Sequence, residues 1–355
     1  MKKSLSLILL FFCVQMYSQN LLKVAVVGLS HDHAHGIMNE YKQKKVILLG
    51  IIETDQELIK RYQNSYKVPD SLFYADLNEL LKKNKPDAVL AYNPISEHID
   101  VARICLPIKI PVMVEKPLAT TLKDAQEMAQ LSRTNNTLLL TNFETTWYGS
   151  NQTIKAEISK SDFGSIKKMI AKDGHNGPKE IGCSKEFLNW LTDPVKNGGG
   201  ALMDFGCYGA NLMTWLQDGK KPIAVTAITR NFKPQIYPKV DDDATIILEY
   251  ENATGIIEAS WDWSYGIKDF QVYGENKSYY AANGNTLFEN KNTTKKESVE
   301  IVDTYYDNYL VYLRDVIQGK ISSKNDLSSL ENNLIVVEIL EAAKKSAKTG
   351  KRVKL

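Results

Sequence analysis

The chain has 355 residues, with 44 lysines and arginines against 42 aspartates and glutamates, and a formal net charge of +2. Such a balanced composition provides no basic stripe for nucleic acid or an anionic membrane surface, so no nucleic-acid partner is predicted. The length is enough for two domains with separate hydrophobic cores. The four cysteines lack CxxC spacing, which predicts neither a disulfide framework nor a zinc ribbon.

Residues 1–20 have the layout of a secretory signal peptide. Two lysines precede the apolar run Leu5–Val14, and small and polar residues follow it. The run is too short to span a bilayer, so we expect no membrane span and cleavage near residues 18–20. This predicts a periplasmic or secreted protein. Cys13 leaves a lipoprotein as an alternative, although Phe12 stands where a lipobox has a small residue, and a cytoplasmic protein with an apolar first strand is the other alternative.

Apolar runs alternate with helical patterns from residue 21 to residue 143. The first run, Lys23–Gly28, has the pattern of a buried parallel strand, and further strands are predicted at 46–52, 88–92, 112–114 and 137–141. Strands that alternate with helices in this way indicate βαβ units. We therefore predict an α/β protein in which residues 21–143 form a Rossmann domain, a doubly wound parallel sheet that binds a nucleotide.

Residues 144–355 have a different pattern. The strands Ala244–Tyr250 and Gly255–Trp261 alternate inward-facing and outward-facing residues, as in an open, mainly antiparallel sheet with one covered face. Helical patterns flank them at 201–216, 305–318 and 327–348. We predict an α+β domain for substrate binding and oligomerisation, with an exposed sheet face that would pair subunits.

Two polar motifs indicate a reaction centre. Glu115-Lys116-Pro117 ends an apolar strand with a lysine, and Asp204 and Tyr208 lie one helical turn apart after a run of three glycines. Each motif alone also fits an ordinary structural explanation, such as a turn for Lys-Pro. Together they resemble the glucose-fructose oxidoreductase and inositol dehydrogenase (Gfo/Idh/MocA) family over nearly all of residues 23–355. The resemblance implies hydride transfer between a nicotinamide cofactor and a sugar-like alcohol.

The resemblance makes Lys116, Asp204 and Tyr208 the expected catalytic residues, with tyrosine in place of the commoner histidine. Oxidation of a secondary alcohol needs a base for the hydroxyl proton and a cation or donor for the developing oxyanion. A tyrosine, whose reference pKa is about 10, is a base at neutral pH only if a cation stabilises its phenolate. Lys116 is the expected cation, and Asp204 is expected to orient the lysine or the substrate hydroxyl.

The loop after the first strand is the expected cofactor loop. Of the glycines in G-x-G-x-x-G, which let the backbone approach a pyrophosphate, only Gly28 is present, and Ser30 and His33 stand at the other two positions. Glu53, 25 residues after Gly28, is placed to bind the ribose hydroxyls, which favours NAD while NADP stays possible. The predicted cofactor-binding residues are Gly28, Ser30, His31, Glu53, Asn93, Pro94, His98, Glu115 and Lys116.

The histidines of this loop allow a second interpretation. His31, His33 and His35 form H-x-H-x-H, and an HxH at a strand end is also how amidohydrolase barrels begin a zinc site. Such a barrel would need further histidines and an aspartate on later strands, but only His98 and His175 remain, and the eightfold βα pattern is missing. We therefore predict no metal, and we expect the imidazoles to cap the helix and line the cofactor cleft.

The predicted substrate is neutral. The family often has arginines in the stretch that corresponds to residues 141–147, and this chain has threonines there instead. A carbohydrate or polyol is the expected substrate, and the predicted substrate-binding residues are Asn142, Trp147, His175 and Asn211.

These observations predict an exported NAD(P)-dependent oxidoreductase that acts on a secondary hydroxyl of a sugar, glycoside or polyol. Because the periplasm offers no ready NAD pool, the cofactor is expected to be tightly bound. One alternative is a redox-neutral glycosidase that oxidises a hydroxyl, eliminates the aglycone and reduces the ketone with the same NAD. Another is a non-catalytic protein that binds a nucleotide or a sugar. The resemblance implies a homodimer or homotetramer.

Overall fold

A computed structural model describes residues 21–290, 297–301 and 308–355 of the chain. The predicted signal peptide lies outside these residues. Within them the strands form one six-stranded and one nine-stranded sheet, each with helices packed on it. None of the helices in the described ranges is both long enough and apolar enough to cross a membrane.

The first sheet is parallel, with the strand order β3-β2-β1-β4-β5-β6. The order reverses between β1 and β4, and in such sheets a ligand binds outside the carboxyl ends of the strands at this point. This confirms the predicted doubly wound Rossmann sheet. Its strands are β1 (Lys23–Val27), β2 (Ile47–Ile52), β3 (Phe73–Tyr74), β4 (Ala88–Ala91), β5 (Val112–Glu115) and β6 (Leu139–Asn142).

Three of the five helices of this half begin at side chains that accept backbone hydrogen bonds, as is usual for N-caps. The carboxylate of Asp55 accepts from the N–H groups of Glu57 and Leu58, and the hydroxyl of Thr121 accepts from Asp124. The helix after β1 and the helix after Glu97 differ, because the side chains of their N-cap residues, His33 and Glu97, make no capping bond. The helices are α1 (Ala34–Lys42), α2 (Gln56–Tyr66), α3 (Leu77–Lys83), α4 (His98–Cys105) and α5 (Leu122–Asn135).

The second sheet has the order β14-β13-β12-β11-β7-β10-β9-β8-β15 and is antiparallel except where β7 pairs with β10. This confirms the predicted open, mainly antiparallel sheet. Its strands are β7 (Ile166–Gly174), β8 (Ala224–Arg230), β9 (Asp243–Glu249), β10 (Thr254–Ser260), β11 (Ile267–Gly274), β12 (Ser278–Asn283), β13 (Thr286–Asn290), β14 (Glu297–Val299) and β15 (Val353–Lys354).

One face of the second sheet is covered by helices. Gly209 lets a helix approach the sheet closely, because a Cβ at this position would lie 2.7 Å from Ile257 and 3.0 Å from Ala171. This contact places the preceding residue, Tyr208, at the end of β7. The helices of this half are α6 (Gly149–Ile158), α7 (Lys185–Leu191), α8 (Ala201–Asp204), α9 (Gly206–Leu216), α10 (Tyr309–Ile317) and α11 (Leu330–Thr349).

The last two helices connect the halves of the molecule. Leu310 and Leu313 of α10 pack in the core of the first sheet with residues of β1 and β2. Helix α11 contributes Val337 to the other side of the first sheet and Leu340 to the core of the second. Because α11 belongs to both cores, it holds the two sheets in one arrangement and positions the cleft between them.

The prediction of one continuous helix over residues 201–216 is wrong at one position. The helix is broken at Phe205, which separates α8 from α9. The N–H of Tyr208 donates to the carbonyl of Phe205 at 3.1 Å, instead of reaching the carbonyl of Asp204 as in an uninterrupted α-helix. The Asp204 carbonyl is thereby available to another donor.

Candidate active site

A cavity of about 480 Å³ lies between the two sheets. It is bordered by the end of β5, the ends of β7 and β11, and the bend between α8 and α9. The structure brings together five of the predicted site residues there, namely His31, Lys116, His175, Asp204 and Tyr208.

Lys116 and Asp204 form a buried ion pair in this cavity. The Lys116 ammonium donates to a carboxylate oxygen of Asp204 and, at 3.0 Å, to the carbonyl that the helix break leaves available. Trp261 Nε1 donates to the other carboxylate oxygen at 3.0 Å. Burial disfavours the charged form of both residues, but the opposite charge of the partner and the hydrogen bond between them have the larger effect. The pKa of Lys116 is therefore raised and the pKa of Asp204 is lowered. Both groups are therefore charged at neutral pH.

Tyr208 lies beside this pair with only 3% of its surface exposed. Lys116 Nζ lies over its ring, 5.1 Å from the centroid, and Lys268 Nζ lies 4.3 Å from the centroid. Burial, followed by the negative charges of Asp173 and Glu144, raises the pKa of Tyr208 well above its ordinary value. The phenol is therefore protonated at neutral pH in this structure, and the role of Tyr208 as a base stays a prediction, with Lys116 and Lys268 as the cations next to its ring.

Three charged residues that sequence reasoning missed line the same cavity: Glu144, Asp173 and Lys268. Asp173 and Lys268 lie directly opposite each other on the adjacent strands β7 and β11. Lys268 Nζ donates to Glu144 Oε2 at 2.7 Å and lies 3.7 Å from Asp173 Oδ2. The pairing of β7 with β11 brings Asp173 and Lys268 together from positions 95 residues apart, and no local sequence motif indicates it.

His175 reaches the cavity from the residue after β7, as predicted from its place beyond a strand end. Its Nδ1 accepts a hydrogen bond from the N–H of Gly177 at 2.9 Å, and its ring contacts Phe205 edge-on at 5.0 Å. Burial lowers the pKa of His175. The ring is therefore neutral at pH 7 and carries its proton on Nε2.

The turn after β1 approaches β4 closely. Gly28 has φ +80°, and a Cβ there would lie 2.8–2.9 Å from atoms of Asn93. Among the residues that the structure describes, the buried Asn93 Oδ1 has no hydrogen-bond partner. A turn that only glycine fits and an unused buried acceptor, both at the switch point of the sheet, fit a dinucleotide bound there.

Glu53 follows β2, as predicted, and binds the loop. Its Oε2 accepts from the N–H of Leu29 at 3.0 Å, and its Oε1 accepts from the N–H groups of Thr54 and Asp55 at 2.8 and 3.0 Å. The carboxylate thus shapes the turn beside Gly28. A ribose hydroxyl would have to share an acceptor that is already bonded.

His33, at the position of the third glycine, reaches across to β5. Its Nδ1 lies 2.9 Å from Glu115 Oε2, while Asn142 Nδ2 donates to Glu115 Oε1 at 2.9 Å. Trp147 Nε1 in turn donates to Asn142 Oδ1 at 3.1 Å. Asn142 and Trp147, predicted to contact substrate, are therefore engaged in holding Glu115. The His33 side chain joins the loop to the strand that carries Lys116.

The histidine motif does not act as one unit. His31 Nδ1 accepts from the N–H of His33 at 3.1 Å, so His31 holds the turn that leads into α1, and neither side chain caps the helix. His35 Nδ1 bonds to the hydroxyl of Tyr66 at 2.7 Å, away from the others. His31, His33 and Glu115 offer ligand atoms within 4.8 Å of one another, a spacing that a metal ion could use. The amidohydrolase alternative is wrong, because the parallel sheet is open and has six strands.

Helix α7 covers the turn after β1. The carboxylate of Asp32 accepts from the N–H of Ser184 at 3.0 Å, and Trp190 Nε1 donates to the carbonyl of Ser30 at 3.4 Å. The rings of Phe187 and Trp190 lie 4.6 and 5.4 Å from the ring of His31. A segment of the second domain thus closes over the loop that was predicted to bind the pyrophosphate.

Two predicted site residues lie in the core instead of the cavity. Asn211 has no exposed surface and donates to the carbonyl of Leu327 at 2.9 Å and to Asn333 Oδ1 at 3.2 Å. It joins α9 to the start of α11, so the prediction that it contacts substrate is not supported. His98 is fully buried, and its Nδ1 lies 3.2 Å from the carbonyl of Leu118. Burial lowers its pKa to about 4. Pro94 is also buried, beside Asn93.

Sequence comparison relates the chain to known oxidoreductases. It is 28% identical over 208 residues to the trans-1,2-dihydrobenzene-1,2-diol dehydrogenase of Xenopus tropicalis, with 57% of each chain covered. The match therefore spans less than two thirds of that relative. The chain is 21% identical over 345 residues to the myo-inositol 2-dehydrogenase of Thermotoga maritima, which covers 94% of this chain and 98% of the relative.

Solved structures share the fold of the whole molecule. An inositol dehydrogenase homolog from Azotobacter vinelandii, complexed with NAD+, matches with a TM-score of 0.81 at 18% identity, over 94% of this chain and 97% of that one. The aldose-aldose oxidoreductase of Caulobacter crescentus, complexed with glycerol, matches with a TM-score of 0.79 at 19% identity, over 94% and 100%.

Two domain descriptions of one family account for most of the chain. Residues 22–143 match the oxidoreductase family with an NAD-binding Rossmann fold, and residues 151–280 match the GFO/IDH/MocA C-terminal domain. The fold agrees with both matches. The chain therefore belongs to the GFO/IDH/MocA family of oxidoreductases and has that family's NAD-binding Rossmann domain.

Proposed function

We propose that this protein is an exported NAD-dependent oxidoreductase that transfers hydride to or from a secondary hydroxyl of a neutral sugar, glycoside or polyol. The observation that carries the proposal is the buried Lys116–Asp204 pair, beside Tyr208 at the carboxyl end of the Rossmann sheet. The names of the relatives support the substrate class, since they include an inositol dehydrogenase and dihydrodiol dehydrogenases. The signal-peptide pattern of residues 1–20 supports export.

The residues of the cavity suit the chemistry of an alcohol. Bound NAD supplies the hydride acceptor or donor. The Lys116 ammonium, held by Asp204, provides a positive charge that would attract the alcohol oxygen and stabilise the negative charge that develops on it. Tyr208 and His175 are neutral donors that would orient neighbouring hydroxyls. Because the site is buried, these interactions are stronger than they would be in water.

The proposal can be tested on purified protein. Denaturation should release NAD(H), identified by mass spectrometry, if the cofactor is retained as proposed. The protein supplied with NAD and with myo-inositol, D-glucose or methyl β-D-glucopyranoside should form NADH, and Lys116→Met should abolish this. Lys83→Met, on the surface of α3, is the control. A protein that does not bind added NAD or NADP and does not transfer hydride would overturn the proposal, whereas glycoside cleavage without net NAD change would identify the redox-neutral glycosidase.

We also propose that the exposed face of the second sheet pairs subunits in a dimer or tetramer. Ile170, Ile247 and Ile256 are in register across β7, β9 and β10 on the face opposite the helices. Gln271 and Tyr280 continue this row on β11 and β12. Ile247 is 41% exposed. Light scattering should show an oligomer that Ile247→Asp converts to monomers, and a monomeric native protein would overturn the proposal.

A further inference from the structure

Tyr208 is the predicted proton acceptor of the site, and the inference that follows rests on the proposed function. As an alcohol is oxidised, its carbon-bound hydrogen leaves as hydride to NAD. Its O–H bond breaks, and the proton forms a new O–H bond with the acceptor; reduction of the ketone reverses both transfers. A tyrosine has a reference pKa of about 10, so its phenolate needs positive charge nearby to form at neutral pH. The cations next to the ring therefore decide how well Tyr208 can act as a base.

The other surroundings of Tyr208 oppose the phenolate. The side chain is buried, and burial is the main reason why its pKa is raised. Negative charges face it from β7, from the turn after β6 and from the two helices that meet at the bend, and after burial they raise the pKa further. These groups are, in order, Asp173, Glu144, Cys207 and Asp204. A base role for Tyr208 therefore requires cations close enough to offset them.

Lys116 is one cation next to the ring, but Asp204 largely neutralises its charge. Its Nζ lies 5.1 Å from the ring centroid of Tyr208. The same ammonium donates to the carboxylate and to the carbonyl of Asp204. Because Asp204 itself raises the pKa of Tyr208, the pair as a whole gives the phenolate less support than an isolated lysine would. The ammonium remains placed to stabilise the alcohol oxygen.

Lys268 is a second cation, and it lies closer to the ring. Its Nζ is 4.3 Å from the ring centroid of Tyr208, and the side chain lines the same cavity. Glu144 Oε2 accepts from the ammonium at 2.7 Å, whereas Asp173 Oδ2 lies 3.7 Å away. Burial disfavours the charge of Lys268, but the two acids outweigh it and raise the pKa, so the ammonium is charged at neutral pH.

The position of the Lys268 ammonium suits a phenolate better than a phenol. A cation over the face of an aromatic ring is attracted to the negative charge of the π electrons. When the phenol loses its proton, part of the new negative charge spreads into the ring, and this attraction increases. Since the contact is buried, solvent screens it little. Lys268 therefore favours the deprotonated form of Tyr208.

We propose that Lys268 is a positioning residue for proton transfer, which acts through Tyr208 by stabilising the phenolate that accepts the hydroxyl proton. Glu144 holds the ammonium over the ring. The two lysines then have separate tasks, because Lys116 stabilises the alcohol oxygen and Lys268 stabilises the oxygen that takes the proton. In the reverse direction the Tyr208 phenol returns the proton to the ketone.

A lysine on the surface provides a matched control. Lys83 Nζ lies over the ring of Tyr74, 5.4 Å from its centroid, and donates to Glu79 at 2.8 Å. It therefore has the same two partners as Lys268, a tyrosine ring and a glutamate, but it lies on α3, outside the cavity. Lys83→Met makes the same chemical change away from the site.

The test is the pH dependence of NADH formation by the NAD-loaded protein from myo-inositol, D-glucose and methyl β-D-glucopyranoside. Oxidation by the native protein should rise with pH as Tyr208 loses its proton. Lys268→Met should move this rise roughly 1–3 pH units higher, the usual effect of losing an opposite charge within about 4–6 Å, and lower the rate at neutral pH roughly 10–10³-fold. Asp173→Asn should move the rise to lower pH, because a negative charge that faces Tyr208 is lost. Lys83→Met should leave it unchanged.

Two further variants distinguish the charge of Lys268 from its packing. Lys268→Arg keeps the charge and a donor for Glu144, so its rise should stay close to that of the native protein. Lys268→Gln keeps a donor without the charge, so it should behave like Lys268→Met, and it takes the place of that variant if Lys268→Met does not fold. Equal profiles for the two variants would overturn the proposal. So would a higher KM with the rise at its native pH, because Lys268 would then act on the substrate.

A final measurement does not depend on turnover. In protein labelled with ¹³C at the tyrosine Cζ atoms, the resonance of Tyr208 is the one that disappears in Tyr208→Phe. It should titrate at higher pH in Lys268→Met than in the native protein, and at the native pH in Lys83→Met. The same titration in native protein and Lys268→Met, or no titration of the native resonance, would overturn the role of Lys268. If the native protein oxidises none of the three alcohols, the proposed function fails, while the titration still shows whether Lys268 stabilises the phenolate.

Discussion

Lys116 and Asp204 are joined twice, since the lysine ammonium bonds both to the side chain and to the main-chain carbonyl of Asp204. The second bond exists because the chain bends at Phe205 and frees that carbonyl from the helix. The lysine is therefore tied to the backbone of the second domain as well as to a carboxylate. This connection spans the cavity, so the reaction centre also holds the two sheets together.

The first prediction concerns the loss of one partner from this pair. Lys116→Met leaves the Asp204 carboxylate buried beside Trp261 without a cation, and breaking a buried ion pair in this way should cost about 3–5 kcal/mol of unfolding free energy. Lys116→Met/Asp204→Asn should recover most of that loss, because no isolated charge remains. Urea denaturation measures both variants, and equal instability of the single and double variants would contradict the prediction.

The second prediction is the pH range over which the pair stabilises the fold. The lowered pKa of Asp204 means that its contribution is present at neutral pH and is lost as the pH falls through that pKa. The raised pKa of Lys116 means that its contribution is present at neutral pH and is lost as the pH rises through that pKa. The stability difference between native protein and Lys116→Met/Asp204→Asn should therefore fall at both acid and alkaline extremes.

An exposed pair serves as the comparison for this measurement. Lys83 Nζ donates to Glu79 at 2.8 Å on the surface of α3. Solvent screens such a pair, so Lys83→Met/Glu79→Gln should change stability little at any pH. If the exposed and buried pairs showed the same pH profile, the buried pair would not be the source of the effect.

Much of the fold was predictable because its signals are local. The alternation of apolar strands and helices indicated the parallel sheet, and the motifs around Lys116 and Asp204 indicated where two halves of a site would meet. The surroundings of Tyr208 and Asp173 were not predictable in this way. They depend on burial and on the pairing of β7 with β11, which brings Lys268 to Asp173 from 95 residues away. Asn211 was predicted to contact substrate because it follows Asp204 by seven residues, but that part of α9 lies in the core.

The third prediction tests the turn after β1. Gly28→Ala places a methyl group 2.8 Å from Asn93 at a φ of +80°, so it should destabilise the protein and weaken NAD binding. Gly36→Ala, in α1, is the control, because a Cβ there meets no atom within 4 Å. It should stabilise the helix by roughly 0.5–1 kcal/mol. Thermal unfolding and NAD titration distinguish the two variants, and equal effects would show that the turn is not constrained.

The fourth prediction concerns the cover that α7 forms over the same turn. Trp190 packs on His31 and donates to the carbonyl of Ser30, so we expect this contact to slow the release of a dinucleotide bound at the turn. Trp190→Ala should therefore increase the rate of NAD release, which can be followed by ultrafiltration or by exchange with labelled NAD. The loss of a buried tryptophan should also lower the unfolding free energy by about 3–5 kcal/mol.

A control separates release of the cofactor from general destabilisation. Trp215 is a tryptophan of comparable burial on α9, and it belongs to the core of the second sheet, away from the turn. Trp215→Ala should destabilise the protein to a similar extent while NAD leaves at the native rate. Faster release from both variants would mean that overall stability, and not the cover, retains the cofactor. Faster release from Trp190→Ala alone would identify α7 as the element that must move before NAD can exchange.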